Sequence, residues 1–198
     1  YVACELGHLE CVRLLLEASA AVNQATTRGS TPLLIACQNG HVECARLLLE
    51  ADAAVGQANQ EGVTPLLIAC QNGYVEIVRL LLEASAAVSQ AADGDFTPLL
   101  IACQNGYVEI VRLLLEASAA LNQARQDGAT PLLIASDKGH LEIARLLLEV
   151  GAAVDRAMSD GTTPLSAASL TGEIECARLL LEAGAAVNQA DSEGRTPL

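Results

Sequence analysis

The apolar positions of this chain fall in two short blocks that return at one interval. In residues 59–91 the block Leu66-Leu67-Ile68-Ala69-Cys70 follows Thr64-Pro65. After Gly73 and Tyr74, a second block sets Val75, Ile77, Val78, Leu80, Leu81 and Leu82 among the polar Glu76, Arg79 and Glu83. Thr64 is a natural N-cap and Pro65 a natural first helical residue, because proline's missing donor costs nothing there. A short helix is therefore predicted over 65–72, ended by Gly73 in a left-handed conformation. A second helix is predicted over 75–84, with Ile77, Val78, Leu80, Leu81 and Leu82 on a wide apolar face. The remaining dozen residues carry the turn signal Gln60-Glu61-Gly62 and read as an extended loop or hairpin.

The same unit recurs along the whole chain. Thr-Pro-Leu opens at Thr31, Thr64, Thr97, Thr130, Thr163 and Thr196, always 33 residues apart, and the 198 residues are six such periods. A fixed period of this size marks a stack of like supersecondary units. A residue type that returns at one frame position serves the stack; residues that break the frame are candidates for something particular to this protein. Residues 65–87 repeat without change as 98–120.

Composition narrows the picture further. With one Phe, three Tyr and no Trp, the interior must be built of Leu, Ala, Ile, Val and Cys, side chains that suit thin repeated layers. No uncharged apolar run approaches the roughly 18–20 residues needed to span a bilayer, and no basic start followed by an apolar core and cleavage site suggests a signal peptide. A net charge of −13 argues against nucleic acid and against an anionic membrane surface. It favours a protein partner with a basic or mixed surface.

Seven cysteines raise the question of a disulfide framework. Cys4, Cys37, Cys70 and Cys103 share one frame position, continued by Ser136 and Ser169; Cys11, Cys44 and Cys176 share another, continued by Ile77, Ile110 and Ile143. A site that accepts Cys or Ile is a packing site. Equivalent residues of neighbouring repeats should stand about 8–10 Å apart, beyond the roughly 7 Å limit for a bridge. The spacing leaves open a bridge inside one repeat, Cys37 to Cys44. Reduced thiols imply an intracellular and in particular a cytoplasmic setting.

The residue types that carry chemistry follow the frame too. His8, His41 and His140 open the second helix, where Tyr74, Tyr107 and Glu173 stand in other repeats. At a stacking distance of about 8–10 Å they do not share a metal, and a structural role is expected. No Ser or Cys nucleophile has a matched base, and the glycines fall singly without a phosphate loop. No catalytic, metal or cofactor site is expected, and the protein is read as no enzyme. Glu76, Arg79 and Glu83, repeated from Glu10, Arg13 and Glu17 to Glu175, Arg178 and Glu182, read as a solvated stripe in which one arginine serves carboxylates at i−3 and i+4, each pair contributing about 0.2–0.5 kcal/mol.

The string Gly-x-Thr-Pro-Leu, then Ala, then Gly-His/Tyr-x-Glu-x-x-Arg-Leu-Leu-Leu-Glu, at a 33-residue period, closely resembles ankyrin repeats over the whole chain. The resemblance implies an all-α solenoid of helix-turn-helix pairs with projecting β-hairpin loops. It divides the chain into a partial repeat 1–25, repeats 26–58, 59–91, 92–124, 125–157 and 158–190, and a partial repeat 191–198. The family's concave face of hairpin tips and first helices implies protein binding without catalysis. Three departures stand out. The family's His after Thr-Pro-Leu is Leu34, Leu67, Leu100, Leu133 or Ser166; its Gly after the second helix is Ser19, Asp52, Ser85 and Ser118; its hairpin Asp survives only as Asp191.

On that concave side the resemblance places Gln38 and Asn39, Gln71 and Asn72, Gln104 and Asn105, and Asp137 and Lys138 on first helices. At hairpin tips it places Arg28, Glu61, Val63, Asp93, Asp95, Phe96 and Asp127. The identical Gln-Asn pairs also read as a neutral surface copied by duplication. Phe96 differs: its frame equivalents are Ser30, Val63, Ala129, Thr162 and Arg195, so it reads as an exposed aromatic suited to anchor an interface. Either Asp95, standing where other repeats have Gly, is left-handed, or the turn shifts by one residue. Three functions stay open: a recognition module, a structural spacer or spring excerpted from a longer array, and a targeting segment of a larger enzyme. Tyr1 begins inside a first helix and Leu198 sits at the start of another, so either an excerpt of a longer array or head-to-tail self-stacking is expected.

Overall fold

A computed structural model describes all residues, 1–198. The chain forms two compact units, Tyr1–Asp93 and Gly94–Leu198. The first holds α1 (Val2–Glu5), α2 (Leu9–Glu17), α3 (Pro32–Gln38), α4 (Val42–Glu50), α5 (Pro65–Asn72) and α6 (Val75–Glu83). The second holds α7 (Pro98–Asn105), α8 (Val108–Glu116), α9 (Pro131–Asp137), α10 (Leu141–Glu149), α11 (Pro164–Thr171) and α12 (Ile174–Glu182). In each unit the two helices of a pair pack on each other, first helices pack in a row (α1, α3, α5; α7, α9, α11), and second helices in a parallel row (α2, α4, α6; α8, α10, α12).

The caps act as the sequence requires. Thr64 Oγ1 accepts from the Leu67 amide at 3.2 Å, and Thr31, Thr97, Thr130 and Thr163 do the same for their own helices. All five of these threonines are buried. Leu34, Leu67, Leu100 and Leu133 are buried against the stack, an apolar use of the position where the resemblance leads one to expect His. Ser166 keeps a polar one: its hydroxyl accepts from the Thr163 amide at 2.8 Å and completes a reciprocal cap.

Second helices end in a left-handed residue even where glycine is missing. Ser19, Asp52, Ser85 and Ser118 have φ of 60–62°. The Ser85 amide donates to Leu82 O and the Ala86 amide to Leu81 O, both at 2.9 Å. This paired closure satisfies carbonyls the helix end would leave open.

Three expectations change. The loops are turns without strands, closed for example by Asn59 N to Val63 O at 3.0 Å and Gly62 N to Asn59 O at 3.1 Å; one cross-loop rung is too short to make a strand. The second carboxylate of each Glu-Arg-Glu trio is not the arginine's partner. Arg46 bridges to Glu43 at 3.5 Å and onward to Glu76 of the next repeat at 3.9 Å, and Arg112 reaches Glu142 in the same way. The stack brings the next helix's first-turn acid closer than the i+4 acid. All seven cysteines are free, so Cys37 and Cys44 are unbridged. Burial pushes the Cys37, Cys70 and Cys103 thiols far up, which makes them inert packing groups.

Candidate binding surface

Polar groups tie each repeat to its neighbour, and these ties decide which surface residues remain for a partner. Asn39 Nδ2 donates to Glu5 O at 2.8 Å and Asn72 Nδ2 to Gln38 O at 2.9 Å. The asparagines of the Gln-Asn pairs are thus spent along the row of first helices, while Gln38 and Gln71 are exposed beside them. His41 and His140 are structural as well: His41 Nε2 lies 3.1 Å from Glu5 O, and His140 Nε2 3.3 Å from Gln104 O. Each covers a left-handed glycine of the repeat before it. A Cβ on Gly7 would sit 2.6 Å from the His41 ring, and one on Gly106 2.8 Å from the His140 ring. Tyr74 over Gly40 and Glu173 over Gly139 repeat the arrangement, which explains why one position accepts His, Tyr and Glu.

The loop tips are linked in the same way. Gln60 N donates to Arg28 O at 3.1 Å and Asp93 N to Glu61 O at 3.1 Å in the first unit. Ser159 N donates to Asp127 O at 2.8 Å and Ser192 N to Asp160 O at 2.7 Å in the second. Arg28, Glu61 and Asp93 point their side chains to solvent, and Val63 is half-buried.

The second unit departs furthest from the frame. Phe96 is half-buried, not exposed, because the Arg125 guanidinium lies over its ring at 5.4 Å from the centroid. Its loop answers the alternative posed by the sequence: Asp95 is left-handed at φ 60° and Gly94 is too, at φ 79°. Arg125 is held in turn by Asp127, whose carboxylate accepts from Nε at 3.1 Å and also from Nη2. That bond holds the Asp127 carboxyl below the usual carboxylate range and raises Arg125.

Beside this cluster, between loop tips and first helices, lies a cleft of about 410 Å³. Gln104, Arg125, Asp137, Lys138, Met158 and Leu170 surround a floor of Leu133, Ile134 and Ala167. Of the expected binding residues it gathers Gln104, Asp137 and Lys138; Asn105 is exposed nearby in sequence but does not line it, and Lys138 pairs with Asp137 at 3.0 Å. Arg125 and Met158 were missed. Their signal was present, since their frame position runs Thr26, Asn59, Ala92, Arg125, Met158, Asp191 and, like that of Phe96, never repeats a residue. The chain's only Lys, only Met and an 86 % exposed Leu170 therefore meet in one place. No group of three or more His, Cys, Asp or Glu is placed to hold a metal ion, and no helix is long and apolar enough to cross a membrane.

Comparison with known proteins agrees with this geometry. The family model for ankyrin repeats in three copies matches residues 1–92 and 85–157, and that for a single ankyrin repeat matches 160–192. The ankyrin-repeat domain of human ASB11, a crystal structure, is similar at 31 % identity and a TM-score of 0.88, over 98 % of this chain and 87 % of that one. No curated protein matches significantly.

Proposed function

The chain belongs to the ankyrin-repeat family, an all-α solenoid class whose members are in general protein–protein interaction modules, and we propose that it is a non-catalytic scaffold that binds a protein through its loop tips and first helices. The observation that carries this reading is the cleft in the second unit. Residues that break the repeat frame, Arg125, Lys138, Met158 and Leu170, converge there on an apolar floor. A stack needs none of them, and a spacer would have kept the frame.

The cleft takes an apolar side chain of the partner, with Arg125 and Lys138 already balanced by Asp127 and Asp137. The surrounding tips set the partner's charge. Arg195 pairs with Asp191 and Glu193, whereas Glu61, Asp93, Asp95 and Asp160 stand in no ion pair of the structure. A partner segment with basic residues flanking an apolar anchor fits both features. Seven unbridged thiols support an intracellular, cytoplasmic setting.

The test is capture of partners from lysate on immobilised wild-type chain and on Leu170→Glu. Leu170 is 86 % exposed, so the variant keeps its melting temperature and loses the captured partner. Equal capture by both proteins would remove the cleft from the binding surface.

A further inference from the structure

In five loops one side chain accepts the amide of the residue just before Thr-Pro, and which side chain does so changes along the chain. In three of them it is the residue that opens the loop. Thr26 Oγ1 accepts from Ser30 N at 3.2 Å, Asn59 Oδ1 from Val63 N at 2.9 Å, and Asp191 Oδ1 from Arg195 N at 2.9 Å. Two loops of the second unit hand this task on. Where Arg125 and Met158 open the loop, Asp127 Oδ1 accepts from Ala129 N at 3.0 Å and Asp160 Oδ1 from Thr162 N at 2.9 Å. The opening side chains are thereby released from loop closure, and both line the cleft.

The Arg125 guanidinium is committed on two sides. The Phe96 ring lies under it, with Cζ 5.4 Å from the centroid, and Asp127 takes Nε and Nη2. Nη1 has no partner in the chain. Asp127 is itself fixed, because its carbonyl accepts from Ser159 N at 2.8 Å and from Ser159 Oγ at 3.0 Å. Lys138 also carries its own acid, Asp137, at 3.0 Å. Both cations of the cleft are therefore balanced, and an entering carboxylate would have to displace an acid already in place. A neutral acceptor meets no such competition. The main-chain carbonyl is the neutral acceptor every peptide has. It is open to an outside donor in an extended segment, since helices and sheets pair their own.

Resting on the reading of this cleft as the binding surface, we propose that Arg125 sets its specificity. Nη1 donates to a main-chain carbonyl of an extended partner segment whose apolar side chain lies on Leu133, Ile134 and Ala167. Phe96 and Asp127 are positioning residues that act through Arg125. The occupant is a peptide with an apolar anchor and basic residues on either side. Those bases meet Asp95 and Asp160, exposed acids without an ion pair on the loops that carry Phe96 and Met158. Asp127 has two effects. It fixes the direction of the guanidinium, and by cancelling its charge it excludes an acidic residue next to the anchor. Phe96 limits the swing of the guanidinium, which a small residue at its frame position would leave free.

The test uses random peptides displayed on phage and selected on the wild-type chain. One enriched peptide is then labelled and its Kd measured by fluorescence anisotropy. Leu170→Glu abolishes its binding, which places the peptide in the cleft. Arg125→Ala weakens it about tenfold or more. Phe96→Leu keeps the bulk and removes the ring face. It weakens the peptide about two- to fivefold in the wild type and not at all once Arg125 is alanine, whereas a purely structural loss would carry over to that background. A second selection uses Asp127→Asn, which keeps the Oδ1 that Ala129 N needs. It enriches Asp or Glu beside the apolar residue, where the wild type enriches neither. A peptide lost with Leu170→Glu but bound alike with and without Arg125 overturns this inference and leaves the cleft as the binding surface. So does a Phe96→Leu loss that persists without Arg125, or the same consensus from both selections. No enriched peptide, or one indifferent to Leu170→Glu, overturns both.

Discussion

At Gly56 the residue type works against the frame. Its equivalents Asn23, Asn122 and Asp155 each accept the amide of a loop residue in the next repeat, at 2.8, 3.0 and 2.9 Å. Gly56 has no side chain to offer to the corresponding Ala87 amide. Its φ lies outside the left-handed region, and an added Cβ meets only Gln90 Oε1 at 3.8 Å. Gly56→Asn should therefore stabilise on two counts: it restricts the unfolded chain, by about 0.4–1 kcal/mol, and adds a bond of roughly 0.5–1.5 kcal/mol. A higher urea midpoint with unchanged slope is the expected result; a lower one would mean that the backbone at residue 56 needs glycine. Phe96 shows the opposite case, a residue whose neighbourhood a frame position does not reveal. Its equivalents are small or polar, which suggested exposure, but the cover comes from Arg125, itself a departure one repeat later. Two departures that compensate each other look independent in sequence.

The elements were legible where a single repeat contains the cause. Thr-Pro fixes where α3, α5, α7, α9 and α11 begin, and the second helix of the 59–91 unit ends one residue short of expectation, at Glu83 with Ala84 as its cap. What one repeat cannot show is how its polar groups are divided between neighbour and solvent. Asn39 and Asn72 have the same exposure class as Gln38 and Gln71, yet the asparagines hold the preceding helix's carbonyls, and only the stack reveals it. The same holds for the arginine stripe, which bonds across repeats. Glycine at the end of a first helix answers two demands at once, a positive φ and room for the next repeat's side chain. Gly40 has φ 76° and a Cβ there would meet Tyr74 Cζ at 2.9 Å; Gly184, after the second helix α12, has φ 85° and nothing within 4 Å. Alanine strains the backbone at both. Only at Gly40 does it also collide with the stack, and overpacking of this kind costs about 1–3 kcal/mol. Gly40→Ala should thus destabilise more than Gly184→Ala by about that margin in chemical denaturation. Equal losses would show that Tyr74 swings away freely and is no part of the tie between repeats.

For the whole molecule, the charge of −13 acts on the proposed association with a partner. The acids of the Glu-Arg-Glu stripe are partly matched by their arginines, within and across repeats, and most of the tip arginines are taken up by Asp127, Asp191 and Glu193. The field that remains is negative, and it draws a basic partner from a distance. Attraction of this kind raises the encounter rate and is screened within about 8 Å at physiological ionic strength. The association rate of a captured partner should therefore fall as salt rises from low to physiological, with the dissociation rate changing much less. A partner association rate indifferent to salt would remove the basic character assigned to the partner.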